Sequence, residues 1–507
     1  MQRIAIIGHI ALEPDAIVLP ASKAAIQHLM GFQNYLRVVD EDGQFRNHLA
    51  CLSNWRGKDE RFSIWDIRLT APLLLASHLR KTGFDVFNAN ALTPDTWDAK
   101  VAEIQAFGPD LIVLSTTFVL SASSFQAVAD KLKSAFPDTP VIAGGQHLYN
   151  VLSSMDADGQ IQYLKNSGFS AFVFDVQGEE TLVRYCQMLA KGGDLTTLPN
   201  LILRQSEDNF AITPRLPENN DINKSLSDMA DLLPHQVAHV RTARSCAFKC
   251  AFCTYPAVAG PTTAMDVEQA MTMLRRIKEK GGKHVVFTDD TFNVPPERFG
   301  NLVDAMIAEK LDLNWFSFLR CQYVNEDLVA RMSDAGCQGV FLGIESGADS
   351  VLKVMKKGAV SRFYRDGIQW LKSRNIKTFG AFIVGFPGET DETVKETHDF
   401  IETSGIDYFF LQMFYYLHNA PIHQRAKDYD LNGEGFFWSH KTMNWRQANT
   451  HVNRMFCEIK NSVAVNPDFN MWEYAYLQSM GVTPNEFHTY RQRINEMTRA
   501  QMLRYAS

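Results

Sequence analysis

Short apolar runs alternate with amphipathic stretches through the first two hundred residues. The runs at 3–8 (RIAIIG), 84–89 (FDVFNA), 110–115 (DLIVLS), 140–145 (PVIAGG) and 171–176 (AFVFDV) predict buried strands. Between them, 71–82, 96–107, 123–136 and 179–192 carry apolar residues at helical spacing. Alternating strands and helices predict a doubly wound, Rossmann-like parallel sheet whose ligand lies beyond the carboxyl ends of the strands. Residues 9–65 interrupt the pattern as an insertion, and the polar stretch 204–225 reads as a linker.

The alternation then resumes, with strands predicted at 238–243, 283–288, 313–318, 339–343, 377–384 and 407–412. Six parallel strands with helices between them are too few for a closed eight-stranded barrel, so a partial (β/α)6 barrel is expected, with its chemistry at the strands' carboxyl ends. Past about residue 425 the strand signal fades into aromatic-rich helical sequence. The expected α/β organisation is a domain over 1–203, a linker over 204–237, a partial barrel over 238–424 and a small helical cap over 425–507.

Composition narrows the partners. The formal charge of −7 argues against a nucleic-acid binder that works by neutralising phosphates, and no Lys/Arg run marks a membrane-surface patch. No stretch approaches eighteen uncharged apolar residues, and the N-terminal apolar run is too short for a signal peptide, so a cytoplasmic protein with a small-molecule or peptide substrate is expected. Of eight cysteines, three cluster as Cys246, Cys250 and Cys253, while Cys51, Cys186, Cys321, Cys337 and Cys457 stand singly, a pattern of reduced thiols with one special site.

Three thiols on one short loop leave tetrahedral zinc a ligand short. A four-iron cluster can be held by three thiolates with one iron open. The C-x3-C-x2-C sequence after the first predicted barrel strand resembles the radical SAM superfamily. That resemblance implies a 4Fe-4S cluster on Cys246, Cys250 and Cys253 whose open iron chelates S-adenosylmethionine (SAM), and a flavodoxin- or ferredoxin-type reductant. It also implies SAM contacts from Phe252, from Asp290 in VVFTDDTFN, from Glu345 in GVFLGIESG beside the Gly385, Pro387 and Gly388 turn, and from Gln412. For Asp290 and Glu345, helix capping or a local ion pair is the other reading. Cys321 and Cys337 read as packing residues.

The N-terminal domain has its own marks. Ser115 and Thr117 stand at a strand end, Gly144, Gly145 and Gln146 follow the next strand, and Gly178 and Glu179 lie in FDVQGEETL. In this order they resemble the cobalamin-binding domains of cobalamin-dependent radical SAM enzymes, which implies that these residues receive the cobalamin. The D-x-H-x-x-G element of the wider cobalamin pattern is missing, since His9 sits in IGHIALEPD. No histidine is therefore expected on the lower face of the corrin, and the segment 64–72 (IWDIRLTAP) is expected to cover it.

The resemblance implies a methyltransferase that passes a methyl group from SAM through methylcobalamin to a poorly nucleophilic carbon or phosphorus centre. Radical rearrangement, ring contraction or cyclisation is the second reading, and a non-catalytic cobalamin-binding sensor the third. Tyr415, Tyr416 and His418 after the sixth strand, and Trp438 and His440 in FFWSHKTMNW, are the candidates for lining or covering the substrate pocket, with core packing the other reading of the FFWSHKTMNW aromatics.

Overall fold

The computed structural model describes residues 3–12, 37–39, 45–57, 60–119, 121–218, 221–465 and 470–506. They fall into two compact units, Met1–Pro14 with Trp65–Leu232, and Asp15–Ile64 with Leu233–Ser507.

The first unit is built on a seven-stranded sheet. Strands β1 (Arg3–Ile10), β2 (Asp85–Leu92), β3 (Leu111–Ser115), β4 (Val141–Gly144) and β5 (Ala171–Val173) run parallel in the order β2-β1-β3-β4-β5. The pairing order changes direction at β1 and β3, the place where doubly wound sheets open a crevice. These strands read as continuous apolar runs because both faces are covered: Ala5 and Ile7 enter one core cluster, Ile4 and Ile6 the other. Helices Thr70–Lys81, Trp97–Phe107, Ala122–Ala135 and Glu179–Ala190 supply the covering layers.

The expected linker is only partly a linker. β6 (Leu201–Arg204) and β7 (Phe210–Ile212) extend the sheet as an antiparallel edge. At three residues, Phe210–Ile212, inside a polar stretch, this edge strand is too short to give a periodic signal, so polarity alone hides it.

In the second unit, β8 (Ala238–Val240), β9 (His284–Phe287), β10 (Asn314–Leu319), β11 (Cys337–Glu345), β12 (Lys377–Val384) and β13 (Tyr408–Met413) pair in chain order, all parallel. A short seventh strand, β14 (Val463–Ala464), joins β13, and the sheet stays open between β8 and β14. This is the expected partial barrel with one extra edge strand. Tyr474, from the helix Asn470–Ser479, packs on Phe316, Phe379 and Tyr408 at 5.4–6.1 Å. It fills the inner face near the strands' amino ends. Phe318, Phe341 and Phe410, from β10, β11 and β13, form a line of rings 4.9 and 5.6 Å apart.

The region beyond residue 425 is helical at Trp445–Glu458, Asn470–Ser479 and Pro484–Ala506, but it begins with a three-stranded antiparallel sheet, Asn432–Glu434, Phe437–His440 and Met443–Asn444. Part of the 9–65 insertion lies outside the described residues. Its hairpin Arg37–Val39/Phe45–Asn47 and helix His48–Arg56 belong to the second unit, where Trp55 meets Tyr490 at 5.7 Å. Among the described residues no helix is long and apolar enough to cross a membrane.

Candidate functional site

The loop that follows β8 is anchored before its first cysteine. Asp289, wholly buried beyond the end of β9, accepts the main-chain N–H groups of Thr242 and Ala243 at 2.6 and 2.9 Å and the Thr242 hydroxyl as well. Ser245 then turns the chain with φ +64°, its hydroxyl donating to the Gly260 carbonyl at 2.6 Å. The loop's centre is held from both sides, Ala251 N–H donating to Met355 O at 2.7 Å and Ile422 N–H to Ala251 O at 2.8 Å.

The three thiols on this loop are free and have different surroundings. Cys246 Sγ lies 3.3 Å from the Thr291 hydroxyl, Cys250 is buried with Arg320 Nη2 at 3.4 Å from its sulfur, and Cys253 is half-buried. Burial first, then the nearby Cys250 and Cys246 thiols and Asp290, push the Cys253 thiol up. Among the described residues no three His, Cys, Asp or Glu side chains converge on a point for one metal ion. A four-iron cluster asks for a different arrangement, one thiolate to each of three irons. Three free cysteines on one short loop fit that donor set.

The remaining barrel candidates lie around this loop at the strands' carboxyl ends. Phe252 sits edge-on to Phe386 at 6.4 Å, with the Lys357 ammonium 5.7 Å from its ring. Glu345, at φ +70°, pairs with buried Lys357 at 2.8 Å. A Cβ on Gly343 would come within 2.8 Å of the Glu345 carboxylate and 3.2 Å of the Lys357 ammonium, so only glycine leaves room for that pair. The ion-pair reading of Glu345 thus holds, and the pair faces the same ring as the candidate adenine position. Asp290 is open to solvent on one side and crowded by protein on the others. That crowding raises its carboxyl to about 6, against the pull of Arg241 and a hydrogen bond from Tyr255. Gln412 is half-buried on β13, opposite Ile383.

The turn after β12 is built around Glu389, which is 1% exposed. Its carboxylate accepts the Gly385 and Phe386 main-chain N–H groups, yet burial outweighs them and lifts its carboxyl to about 8. Gly385, at φ +90°, has Trp438 where its side chain would be, 2.3 Å from a Cβ. This corrects the reading of Trp438 and His440 as a cover over the pocket. Trp438 is 1% exposed, donates its Nε1–H to Phe414 O at 2.7 Å and stacks on His440 at 5.2 Å, while His440 Nε2–H donates to Gly385 O at 3.1 Å. Both side chains are core, because strand Phe437–His440 alternates outward and inward. Tyr416 is also buried, its hydroxyl 2.6 Å from His423 Nδ1. His418 donates to Gly433 O at 3.0 Å, and Tyr415 is 45% exposed. Cys321 and Cys337 are buried among packed groups, Cys321 so tightly that a Cβ on Gly367 would meet its sulfur at 2.7 Å.

In the first unit the cobalamin candidates gather at the ends of β3, β4 and β5. Ser115 and Thr117 hydroxyls lie 3.0 Å apart, and Thr116 N–H donates to Gly144 O at 2.7 Å. Gly145 has φ +116°, and a Cβ there would fall 3.1–3.2 Å from the Thr116 and Thr117 amides. Backbone and hydroxyls therefore form a surface without side-chain bulk, which suits a group that must approach the main chain closely. Gln146 opens the next helix and donates to Asn150 at 2.7 Å. Gly178 caps the helix Glu179–Ala190 at φ +49°, where a Cβ would meet Val173 at 2.7 Å. Glu179 is buried, and the Glu218 carboxylate takes the Glu180 and Thr181 N–H groups. At the end of β1, His9 is stacked on Trp65 at 4.0 Å, with Phe118 edge-on at 5.8 Å, and burial lowers its imidazole to about 4. The segment carrying Trp65 is pinned by Asn90, whose side chain bonds Trp65 O, Ile67 O and Leu69 N at 2.9–3.0 Å.

Sequence reasoning missed Arg320, Lys357 and Glu389. A trace of Arg320 was available, a charged residue immediately after a buried strand in FSFLRCQ.

The family model of the Radical SAM superfamily matches residues 240–401, and that of the B12 binding domain matches residues 71–158. An uncharacterized methyltransferase of Pyrococcus horikoshii is 27% identical over 345 residues, 66% of this chain and 73% of that one. Bacteriochlorophyllide d C-12(1)-methyltransferase of Chlorobaculum tepidum is 26% identical over 38% of this chain and 43% of its own length. Among solved structures, the radical SAM methyltransferase TsrM of Kitasatospora setae, with cobalamin and a [4Fe-4S] cluster bound, matches with a TM-score of 0.58 at 18% identity, over 72% of this chain and 73% of that one. The cobalamin-dependent enzyme OxsB matches with a TM-score of 0.58 at 15% identity, over 86% and 69%. The two structural likenesses speak for the fold.

Residues 240–401 thus form a radical SAM domain, and residues 71–158 a B12 binding domain. A radical SAM domain implies a 4Fe-4S cluster and SAM, and a B12 binding domain implies cobalamin.

Proposed function

We propose that this chain transfers a methyl group from SAM, by way of bound cobalamin, to an unactivated carbon or phosphorus centre of a small metabolite or peptide. The observation that carries the reading is the pairing, in one chain, of a three-cysteine loop at the carboxyl end of a parallel partial barrel with a bulk-free β3/β4 surface in a doubly wound domain. When bound, the cofactors supply the one-electron and methyl-carrying chemistry. Cys246, Cys250 and Cys253 would hold the cluster, and Ser115, Thr117 and the Gly144–Gly145 turn the cobalamin.

The protein's own part is positioning and exclusion of water. Phe252, braced by Phe386 and Lys357, offers a flat apolar face to an aromatic base, and Glu345 and Asp290 offer acceptors beside it. Phe318, Phe341 and Phe410 line the inner face where a substrate would enter, and an apolar wall keeps water from reactive groups. Gln412 stands at the rim of that wall. A flavodoxin- or ferredoxin-type reductant and a cytoplasmic setting complete the reading, in keeping with eight free cysteines.

The test is anaerobic reconstitution with both metal cofactors, methyl-deuterated SAM and a panel of small metabolites and peptides, read by mass spectrometry. A product heavier by one labelled methyl supports methyl transfer. A product of rearranged or cyclised mass without label overturns it in favour of the second reading, and no SAM consumption with any candidate overturns it in favour of a sensor.

A further inference from the structure

Arg320 is the charged group nearest the most buried of the three thiols. It follows β10, is 8% exposed, and is held in place by its own main chain: Arg320 N–H donates to Asn293 Oδ1 at 3.0 Å, and Asn293 Nδ2 donates to Arg320 O at 2.9 Å. The guanidinium lies over the Phe248 ring at 3.5 Å, donates through Nη1 to Lys357 O at 3.0 Å, and points Nη2 at Cys250 Sγ, 3.4 Å away. Among the described residues no carboxylate lies within ion-pair distance of it; Glu345 is taken by Lys357. A buried cation with an aromatic face, a carbonyl and a sulfur as its partners lacks an anion. A cluster held by three thiolates carries net negative charge and supplies one.

We infer that Arg320 is a positioning residue for the cluster, its Nη2–H donating a charge-assisted hydrogen bond to the Cys250 thiolate and setting the cluster's reduction potential. The inference rests on the reading of the three cysteines as cluster ligands. An N–H···S bond withdraws electron density from the sulfur and stabilises the reduced cluster, so it raises the potential. Lys357 stands one bond away through its carbonyl, which ties the Glu345–Lys357 pair and the Cys250 sulfur to the same guanidinium.

The direct test uses the full-length wild-type chain labelled with ¹⁵N-arginine and reconstituted with iron and sulfide in the absence of SAM. Pulsed paramagnetic resonance of the reduced cluster should show a weakly coupled arginine nitrogen. The signal should vanish in R320K, and the midpoint potentials of R320K and R320Q should both move to more negative values, R320Q further because it loses the charge as well. A wild-type protein with a full cluster and no arginine coupling overturns the inference, whether or not the variants fold. A wild-type protein that assembles no 4Fe-4S cluster fails the cysteine reading itself, a distinct result. If both variants hold a full cluster at the wild-type potential, Arg320 only packs on Phe248.

Discussion

Asp289 holds Thr242 by both oxygens of its carboxylate, Oδ1 accepting the main-chain N–H at 2.6 Å and Oδ2 the hydroxyl. The clamp joins the ends of β8 and β9, and the cysteine loop starts from it. A buried carboxylate held by three donors is strongly bound, and taking it away strands those donors. Asp289→Ala should lower the stability of the barrel unit by about 3 kcal/mol and leave the reconstituted protein short of iron. Asp289→Asn should be mild, because its amide oxygen still accepts both N–H groups and the Thr242 hydroxyl can turn to accept from its NH₂. Thermal melts and iron analysis separate the two variants; equal losses would mean that charge, not hydrogen bonding, holds the clamp.

Replacing Cys246, Cys250 or Cys253 with Ala should each abolish the brown absorbance of the reconstituted protein and its cleavage of SAM. Cys321→Ala should keep both. It should instead cost about 1 kcal/mol of stability, since that sulfur fills the space against Gly367. Absorbance spectra and melts of the four variants test this, and loss of the cluster in the Cys321 variant alone would reassign the ligand set.

The sheets were legible because parallel strands covered on both faces spell out their apolar runs; β12 occupies Lys377–Val384, the span the sequence predicts. β7 is three residues long within a polar stretch, and the Phe437–His440 strand is four residues long with two of them polar, too short for a strand signal, and so they passed as linker and lid. The candidate cysteine motif was legible because thiols on one loop are neighbours in sequence. Arg320 was not, since it meets Cys250 across seventy residues and its meaning comes from burial without a carboxylate. Glu389 escaped for a similar reason, since only the closing of the turn onto Gly385 buries it.

Cobalamin bound to this chain should have no protein imidazole on cobalt. His9 is committed to a stack with Trp65 and Phe118, and the segment carrying Trp65 is fixed by Asn90. Paramagnetic resonance of the cob(II)alamin form should be the same in wild type and His9→Ala, without superhyperfine splitting from a histidine nitrogen. Splitting that disappears in the variant would show that the ring leaves its stack to bind the metal.

Trp438→Ala should behave as a core truncation. The indole is enclosed by Gly385, Phe414 and His440, so its removal should cost about 3–5 kcal/mol. A lid residue would do the opposite, raising the substrate KM while leaving the melt unchanged. Measuring both on one preparation decides between the two roles.

The buried acid of the β12 turn gives a pH signature. Glu389 has its carboxyl raised from 4.5 to about 8, because burial disfavours the charged form more than the Gly385 and Phe386 N–H groups favour it. The folded protein therefore keeps a proton that the unfolded chain has released, and by linkage stability falls as pH rises between about 4.5 and 8, then levels off above that range. Below 4.5 both states are protonated and the group contributes no slope. Glu389→Gln imitates the neutral acid, with a carbonyl oxygen for the two N–H groups and no charge to bury. Wild type and variant should be nearly equal in stability at pH 5, and the variant should be the more stable at pH 8.5 by on the order of a few kcal/mol. Denaturation midpoints across that range test the sign. A wild type that gains on the variant as pH rises would mean that the carboxylate is bound as an anion and that its hydrogen bonds, not its burial, govern the turn.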